Sequence, residues 1–194
     1  MEDLNLSAAA CAWFLLAAFV LAGMAQTAWF AAPLSRRFSF PIDGGATFRG
    51  SRLFGENKTL RGFVVMVPAA AVSFAGLAAA IGDPAQAGLW PLTTAGYAWL
   101  GACAGLGFMA GELPNSFMKR QLGIRPGASP HSRLAAAAHF VADRIDSGIG
   151  MLLAVSATVT TPAMTWLLVL LVGPSIHWAF SVLMFHLGLK ARPA

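Results

Sequence analysis

Charge is what this chain has least of. Only 11% of its 194 residues are charged, against about 25% in an ordinary soluble domain. Hydrophobic residues make up 57%. That balance argues against a solvated globular protein and makes a membrane protein the first class to test. Cysteine is scarce too. Cys11 and Cys103 both fall in apolar runs, so neither a disulfide framework nor a zinc site follows. The four histidines have no metal-ligand spacing. His131 and His139 lie near polar segments, and His177 and His186 read as polar or packing residues of the last apolar run. The start, MEDLNLS, lacks the basic region of a cleaved signal, and the apolar run after it is too long for one. It is expected to be a retained helix. No internal repeat, linker or separate soluble domain stands out, so residues 1–194 read as one membrane-embedded domain.

What the chain has in abundance is long apolar runs. Crossing a bilayer core of about 30 Å takes about 20 helical residues. The runs predict spans over 8–32, 63–82, 94–111, 134–159 and 164–187. The expected fold is therefore an all-α integral membrane protein with five transmembrane helices and two polar loops, 33–62 and 111–133. Small residues such as Gly101 and Gly105 suit close helix packing, and the tryptophans lie mostly near span ends.

Lysine and arginine are distributed unevenly. Segments 33–62, 111–133 and 190–194 hold Arg36, Arg37, Arg49, Arg52, Lys58, Arg61, Lys119, Arg120, Arg125, Arg133, Lys190 and Arg192. Only Arg144 lies elsewhere, and the N-terminus and segments 83–92 and 160–165 have none. Basic loops stay in the cytoplasm. The expected protein is multi-pass in the cell (inner) membrane, with its N-terminus outside and its C-terminus and polar face cytoplasmic. The net charge of +5 is then a topology signal and does not imply a nucleic-acid partner.

Three polar constellations share that cytoplasmic face. In HFVADRIDSG, 139–148, Asp143 and Asp146 are three apart and so share one face of a helix. Two such carboxylates repel each other unless a cation lies between them. A hard ion such as Mg²⁺ suits them, because it often binds through one or two carboxylates plus substrate phosphates. Two aspartates at a solvated helix end, offset by Arg144, is the plainer reading. GENKTLRG, 55–62, places Asn57, Lys58, Thr59 and Arg61 between glycines, as a phosphate-holding loop does, although it is not the G-x-x-x-x-G-K-[ST] pattern. Its plainer reading is a basic loop capped by Asn57 or Thr59 before a helix. GELPNSFMKR, 111–120, offers Glu112 as a third acidic ligand and Ser116, Lys119 and Arg120 as phosphate contacts, or a surface helix lying on anionic lipid. A short helix around Ser116–Leu122 is predicted, separate from the span before it.

Taken together, SFMKRQLGI (116–124) and DRIDSG (143–148) resemble the signature of CDP-diglyceride synthases. The first loop, PIDGG…FRGSRLFGENKTLRG, resembles that of the CDP-archaeol synthases, small five-span relatives. The resemblance implies an enzyme that transfers CMP from CTP to a membrane lipid phosphate, phosphatidate or an archaeol-type ether lipid phosphate, and releases pyrophosphate. It implies Asp143 and Asp146 as metal ligands, Ser116, Lys119 and Arg120 as the phosphate-handling element, and Asn57, Lys58 and Thr59 as a nucleotide-phosphate loop. Asp143, Asp146 and Lys119 would carry the catalysis, with Arg61 and Arg144 as further phosphate contacts. Mg²⁺ is the expected cofactor, with a second cation such as K⁺ left open. The archaeol-type relatives have Gly-Asp where this chain has Gly111-Glu112, so Glu112 keeps the charge with a longer reach. His139 is out of register with the diglyceride-type histidine and receives no role. The competing reading is a non-catalytic transporter or lipid-handling protein that uses Asp143 and Asp146 as a cation or proton site. The sequence leaves the lipid and the oligomeric state open, a homodimer included.

Overall fold

The computed structural model describes residues 5–125 and 133–189, with Arg133, Ala135 and Ala136 described by their backbone alone. His131, Lys190 and Arg192, named above, lie outside the described residues, as does the side chain of Arg133. Five long helices form the frame: α1 (Ala8–Ala31), α2 (Leu60–Ile81), α3 (Thr94–Gln121), α4 (Arg133–Thr158) and α5 (Ala163–His186). Three of them, α1, α2 and α5, have the length and apolarity to cross a membrane, with mean hydropathies of 2.2, 2.2 and 1.9. The chain is a helical, multi-pass membrane protein. In α3 and α4 the charged residues lower the hydropathy.

Local chemistry sets the helix ends. The Ser7 hydroxyl accepts from Ala10 N and caps α1, and the Thr93 hydroxyl does the same for Gly96 N at α3. Pro33 follows α1 and opens a 3₁₀ turn, Pro33–Phe38. Thr59 is the N-cap residue of α2, but its hydroxyl makes no capping bond. At the other end of α2, Gly82 takes φ +81°, a positive value that glycine adopts more readily than other residues.

One sequence expectation is corrected here. The separate helix around Ser116–Leu122 does not exist, because α3 runs unbroken from Thr94 to Gln121, straight through Pro114. Proline is tolerated inside such a helix when neighbouring groups take up the freed carbonyls. Just past it, the Ser116 hydroxyl donates to Glu112 O at 2.9 Å, and the turn is tied to α4 by side chains described below. The second polar loop is correspondingly shorter. The first loop carries short ordered pieces beside the Pro33–Phe38 turn. Thr47–Phe48 (β1) pairs antiparallel with Ser51–Arg52 (β2), Thr47 opposite Arg52. The turn between them uses Arg49 at φ +50° and Gly50 at φ +78°, the pattern that matches strand twist in two-residue hairpins. Phe48 packs against Phe117 of α3, ring centroids 5.9 Å apart.

Glycine sets how closely the helices pack. A Cβ at Gly101 would come within 2.5 Å of Ala70 O, so α3 lies directly on the α2 backbone. On the opposite face a Cβ at Gly111 would come within 2.5 Å of Asp146 O, and Cβ atoms at Gly107 and Gly150 would each run into the other's carbonyl. Small residues give backbones this approach. Here they set α3 between α2 and α4.

The two ends of the bundle differ. At one end Phe14, Phe74 and Tyr97 form an aromatic plug, with Phe14 at 5.3 Å from each of the other two. The polar tips of this end are satisfied: Tyr97 OH donates to Trp90 O at 2.6 Å, and Trp90 Nε1 to Thr160 O at 2.8 Å. The other end opens into a cavity of about 880 Å³.

Candidate active site

That cavity gathers the polar constellations of the sequence. Its walls include Asn57, Lys58, Thr59, Arg61, Glu112, Ser116, Lys119, Arg120, Asp143, Arg144 and Asp146. A second wall is apolar and comes from α1 and α5, with Leu15, Phe19, Gly23, Val169, Leu170 and Phe180 among its residues. One space therefore offers both a charged surface and a greasy one.

The charged wall follows from the close contact of α3 and α4. Glu112, Asn115 and Lys119 recur at helical spacing on α3 and face Asp143, Asp146 and Ser147 on α4. They form a continuous chain. Lys58 is ion-paired to Glu112 Oε2. Ser147 Oγ lies 2.9 Å from Glu112 Oε1 and 3.2 Å from Asp146 Oδ1. Ser147 N donates to Asp146 Oδ1 at 2.6 Å. Asn115 Nδ2 donates to Asp146 Oδ2 at 2.9 Å and to Asp143 Oδ1 at 2.6 Å. Lys119 closes the series by pairing with Asp143 Oδ1. Three carboxylates face two ammonium groups, a formal charge of about −1 with all five ionised. Burial alone would lower the Lys58 pKa, but the Glu112 charge and hydrogen bond, with Asp146 and Asp143 beyond, reverse this and raise it.

The remaining sequence candidates are also at the cavity, but several are already engaged. Arg61 donates through Nη2 to Phe30 O and lies over the Phe30 ring at 4.6 Å, fastening the start of α2 to the end of α1. Arg144 donates to Phe140 O at 2.9 Å and stacks on the Phe140 ring. Ser116 is turned to the Glu112 carbonyl. A substrate phosphate would draw these three from their present partners. Arg120 pairs with no carboxylate among the described residues. Glu112, expected as a metal ligand, is instead engaged by Lys58 at one oxygen and Ser147 at the other.

Asp43 was quoted in the sequence only as part of PIDGG, yet it organises the first loop. Its buried carboxylate accepts from Gly45 N at 3.0 Å, from Phe54 N and Gly55 N at 3.1 Å each, and from Arg52. Gly55, at φ +92°, then turns the chain into Asn57-Lys58-Thr59. Burial alone would raise the Asp43 pKa, but Arg52 and the three amides outweigh it and hold the carboxyl well below the usual carboxylate range. Loop order is therefore complete above the ordinary carboxylate pKa and is lost as pH falls below it through the folded value. Asp43→Asn removes the charge-assisted bonds, each worth about 1.5–3 kcal/mol. We expect cleavage by trypsin at Arg49, Arg52 and Lys58 to rise by about 30-fold at neutral pH, the equivalent of about 2 kcal/mol of local opening. Unchanged cleavage would show that Asp43 does not order the loop.

The donor set can be judged against a metal. Among the described residues no three His, Cys, Asp or Glu side chains gather as a metal-holding group. Two carboxylate oxygens do converge on Asn115 Nδ2, one from each aspartate, and a lysine ammonium meets the same Asp143 oxygen. Positive charge is thus already drawn to the spot between the aspartates. An all-oxygen pair of this kind fits a hard divalent cation.

Fold and cavity together define a class: a helical membrane protein with a charged pocket open to an apolar wall. Residues 6–193 match the family model described as CarS-like: CDP-archaeol synthase. The CDP-archaeol synthase of Methanopyrus kandleri is 33% identical over 156 residues, covering 79% of this chain and 79% of that protein. That of Halorubrum lacusprofundi is 34% identical, covering 79% and 83%, and that of Pyrococcus furiosus 32%, with the same coverage. The chain belongs to the CDP-archaeol synthase family. A solved structure described as an intramembrane enzyme for archaeal membrane lipids biosynthesis shares the fold, with a TM-score of 0.59, 23% identity, and coverage of 84% of this chain and 89% of that one.

Proposed function

We propose that this chain is a CTP-dependent cytidylyltransferase that forms a CDP-lipid by moving CMP from CTP onto a membrane lipid phosphate and releasing pyrophosphate. Family membership supports the reaction class. The observation that carries the proposal is the cavity itself, where a wall of paired lysines and carboxylates meets an apolar wall. A nucleoside triphosphate suits the first wall and a lipid chain the second. The relatives' name, CDP-archaeol synthase, makes an archaeol-type ether lipid phosphate the first acceptor to test, with phosphatidate as the other.

In this reading a lipid phosphate oxygen attacks the α-phosphorus of CTP, and the bond from that phosphorus to the β-phosphate oxygen breaks. The nucleophile is already anionic, so no histidine base is required. What the protein must supply is position and charge compensation. Asp143 and Asp146 would hold Mg²⁺, which when bound supplies the charge that offsets phosphate repulsion and the developing pyrophosphate. Lys58 and Lys119 sit at opposite ends of the acidic chain and are placed to pass from carboxylate to phosphate. Arg120 adds a guanidinium at the same wall, and Asn57 and Thr59 line the approach from the first loop. The lipid chain stays against α1 and α5, so its phosphate reaches the charged wall without leaving the apolar phase.

The polar end carries most of the basic residues, which favours a cytoplasmic site and an external N-terminus. A cytoplasmic site would also face the compartment that supplies CTP. All five helices would then cross, the glycine-packed contacts sheltering the charged α3 and α4 from lipid. Purified protein in detergent, given labelled CTP, Mg²⁺ and a panel of lipid phosphates, is expected to form CDP-lipid with at least one acceptor, an ether lipid phosphate first. Absence of product with every acceptor would overturn the proposal and return Asp143 and Asp146 to a non-catalytic cation or proton role.

A further inference from the structure

We propose that Asn115 is an oxygen ligand of the divalent cation at Asp143 and Asp146, a role that rests on the reading of those two aspartates given above. Among the described residues Asn115 is the side chain whose one atom touches both carboxylates, at 2.6 Å and 2.9 Å. It follows Glu112 by three residues and precedes Lys119 by four, so it lies on the α3 face that meets α4. A carboxamide carries a donor and an acceptor on one planar carbon, and a half-turn about the last side-chain bond exchanges them. As a donor, the amide spreads partial positive charge between two anions that would otherwise repel. With a cation between the aspartates, an N–H aimed at it is repelled and the carbonyl oxygen is attracted. The same side chain therefore bridges the two aspartates as a donor and would ligate a cation held between them as an acceptor.

Charge explains why an amide suits this place. Mg²⁺ prefers octahedral oxygen coordination, and two carboxylates leave it short. A third carboxylate would cancel more of the positive charge that the phosphates need. A neutral oxygen completes more of the shell and leaves that charge available. Lys119, which now meets Asp143, is released by the same event to face phosphate.

The test uses Mn²⁺ as the probe, titrated into the purified full chain and read by electron paramagnetic resonance, with and without CTP and with no lipid acceptor. Wild type is expected to bind Mn²⁺. Asn115→Leu, similar in size but without a ligand atom, should bind about tenfold more weakly or worse. Asn115→Asp, which keeps a ligand oxygen, should bind within about threefold of wild type or more tightly, although its melting temperature without metal falls because the bridging donor is gone. A bridging role alone predicts the opposite for Asn115→Leu, namely unchanged or tighter binding. That result, with binding lost in Asp143→Asn, overturns the ligand role and leaves the aspartate site standing. Loss of Mn²⁺ from a folded Asn115→Asp also overturns it, so the proposal does not depend on the Leu variant folding. No Mn²⁺ on wild type under either condition overturns this proposal and the metal reading together.

Discussion

Asp146→Asn is expected to lower CDP-lipid formation by about a thousandfold or more while leaving a folded, monodisperse protein. The expectation follows from the charge balance of the site. Within the linked series of Lys58, Glu112, Asp146, Asp143 and Lys119, three carboxylates against two ammonium groups leave one formal negative charge. A divalent ion turns that deficit into a surplus that phosphates can use. On the proposed metal reading, removing the Asp146 charge would remove a ligand and the reason for an ion to stay. Metal assistance to phosphate transfer is worth several kcal/mol, and each 1.36 kcal/mol is about a factor of ten in rate. Folding should survive, because asparagine retains an oxygen to accept from Ser147 N, the 2.6 Å bond that ends this carboxylate's backbone contact. Asp143→Asn should behave similarly in activity. It should cost more in stability at Lys119, whose side chain is largely buried and loses its partner. The comparison to make is labelled CMP transfer against melting temperature for both variants. Full activity in both would remove the metal from Asp143 and Asp146.

The charged part of this site was legible in the sequence because charge in an apolar chain is conspicuous. Asp143, Asp146, Lys119, Lys58 and Glu112 stood out for that reason, and the structure brings all five to one cavity. Their partners were not legible. Asn115 and Ser147 are neutral, common residue types, and nothing in a one-dimensional reading ranks them above other polar residues. The signal that would have found Asn115 is the α3 spacing, three residues from Glu112 and four from Lys119. It was obscured by reading GELP as a break. With a break at Pro114, Glu112 and Asn115 belong to different elements and their shared face disappears. The arginines show the reverse difficulty. Arg61 and Arg144 carry the right charge for phosphate, but each reaches a backbone carbonyl and an aromatic ring. Residue type does not distinguish a cation aimed at a ligand from one that fastens two elements.

Helices were legible where the apolar run was long. The predicted ends of α1, α4 and α5 lie within a residue or two of the observed ones, and α2 starts three residues earlier. The hairpin was not, because two-residue strands have no periodicity to read and the turn rests on Arg49 in a conformation unusual for a side chain. Asp43 was hidden for a similar reason. Its importance comes from three amides and an arginine that fold back on it from as far as twelve residues away.

The helix packing yields the second large prediction, because the site is only as accurate as the α3–α4 contact. Gly150→Ala should cost about 1–3 kcal/mol in stability and reduce turnover by about a hundredfold. A Cβ there meets the Gly107 carbonyl and comes within 2.6 Å of Gly111 Cα, both backbone atoms that cannot swing aside. Reaching ordinary contact means moving the helices apart by about 1 Å, the overpacking case with its characteristic cost. The same displacement separates Asn115 from the aspartates and Ser147 from Glu112. Misplacing reacting groups by about 1 Å costs about a hundredfold in rate even when every group is present. Gly76→Ala is the control. It lies in α2 with no atom within 4 Å of its would-be Cβ, so it should leave turnover unchanged and raise stability by up to about 1 kcal/mol through helix propensity. Glycine was needed at 150 for proximity and not at 76, and a Gly150→Ala variant with wild-type turnover and melting temperature would show that the α3–α4 spacing does not set the site.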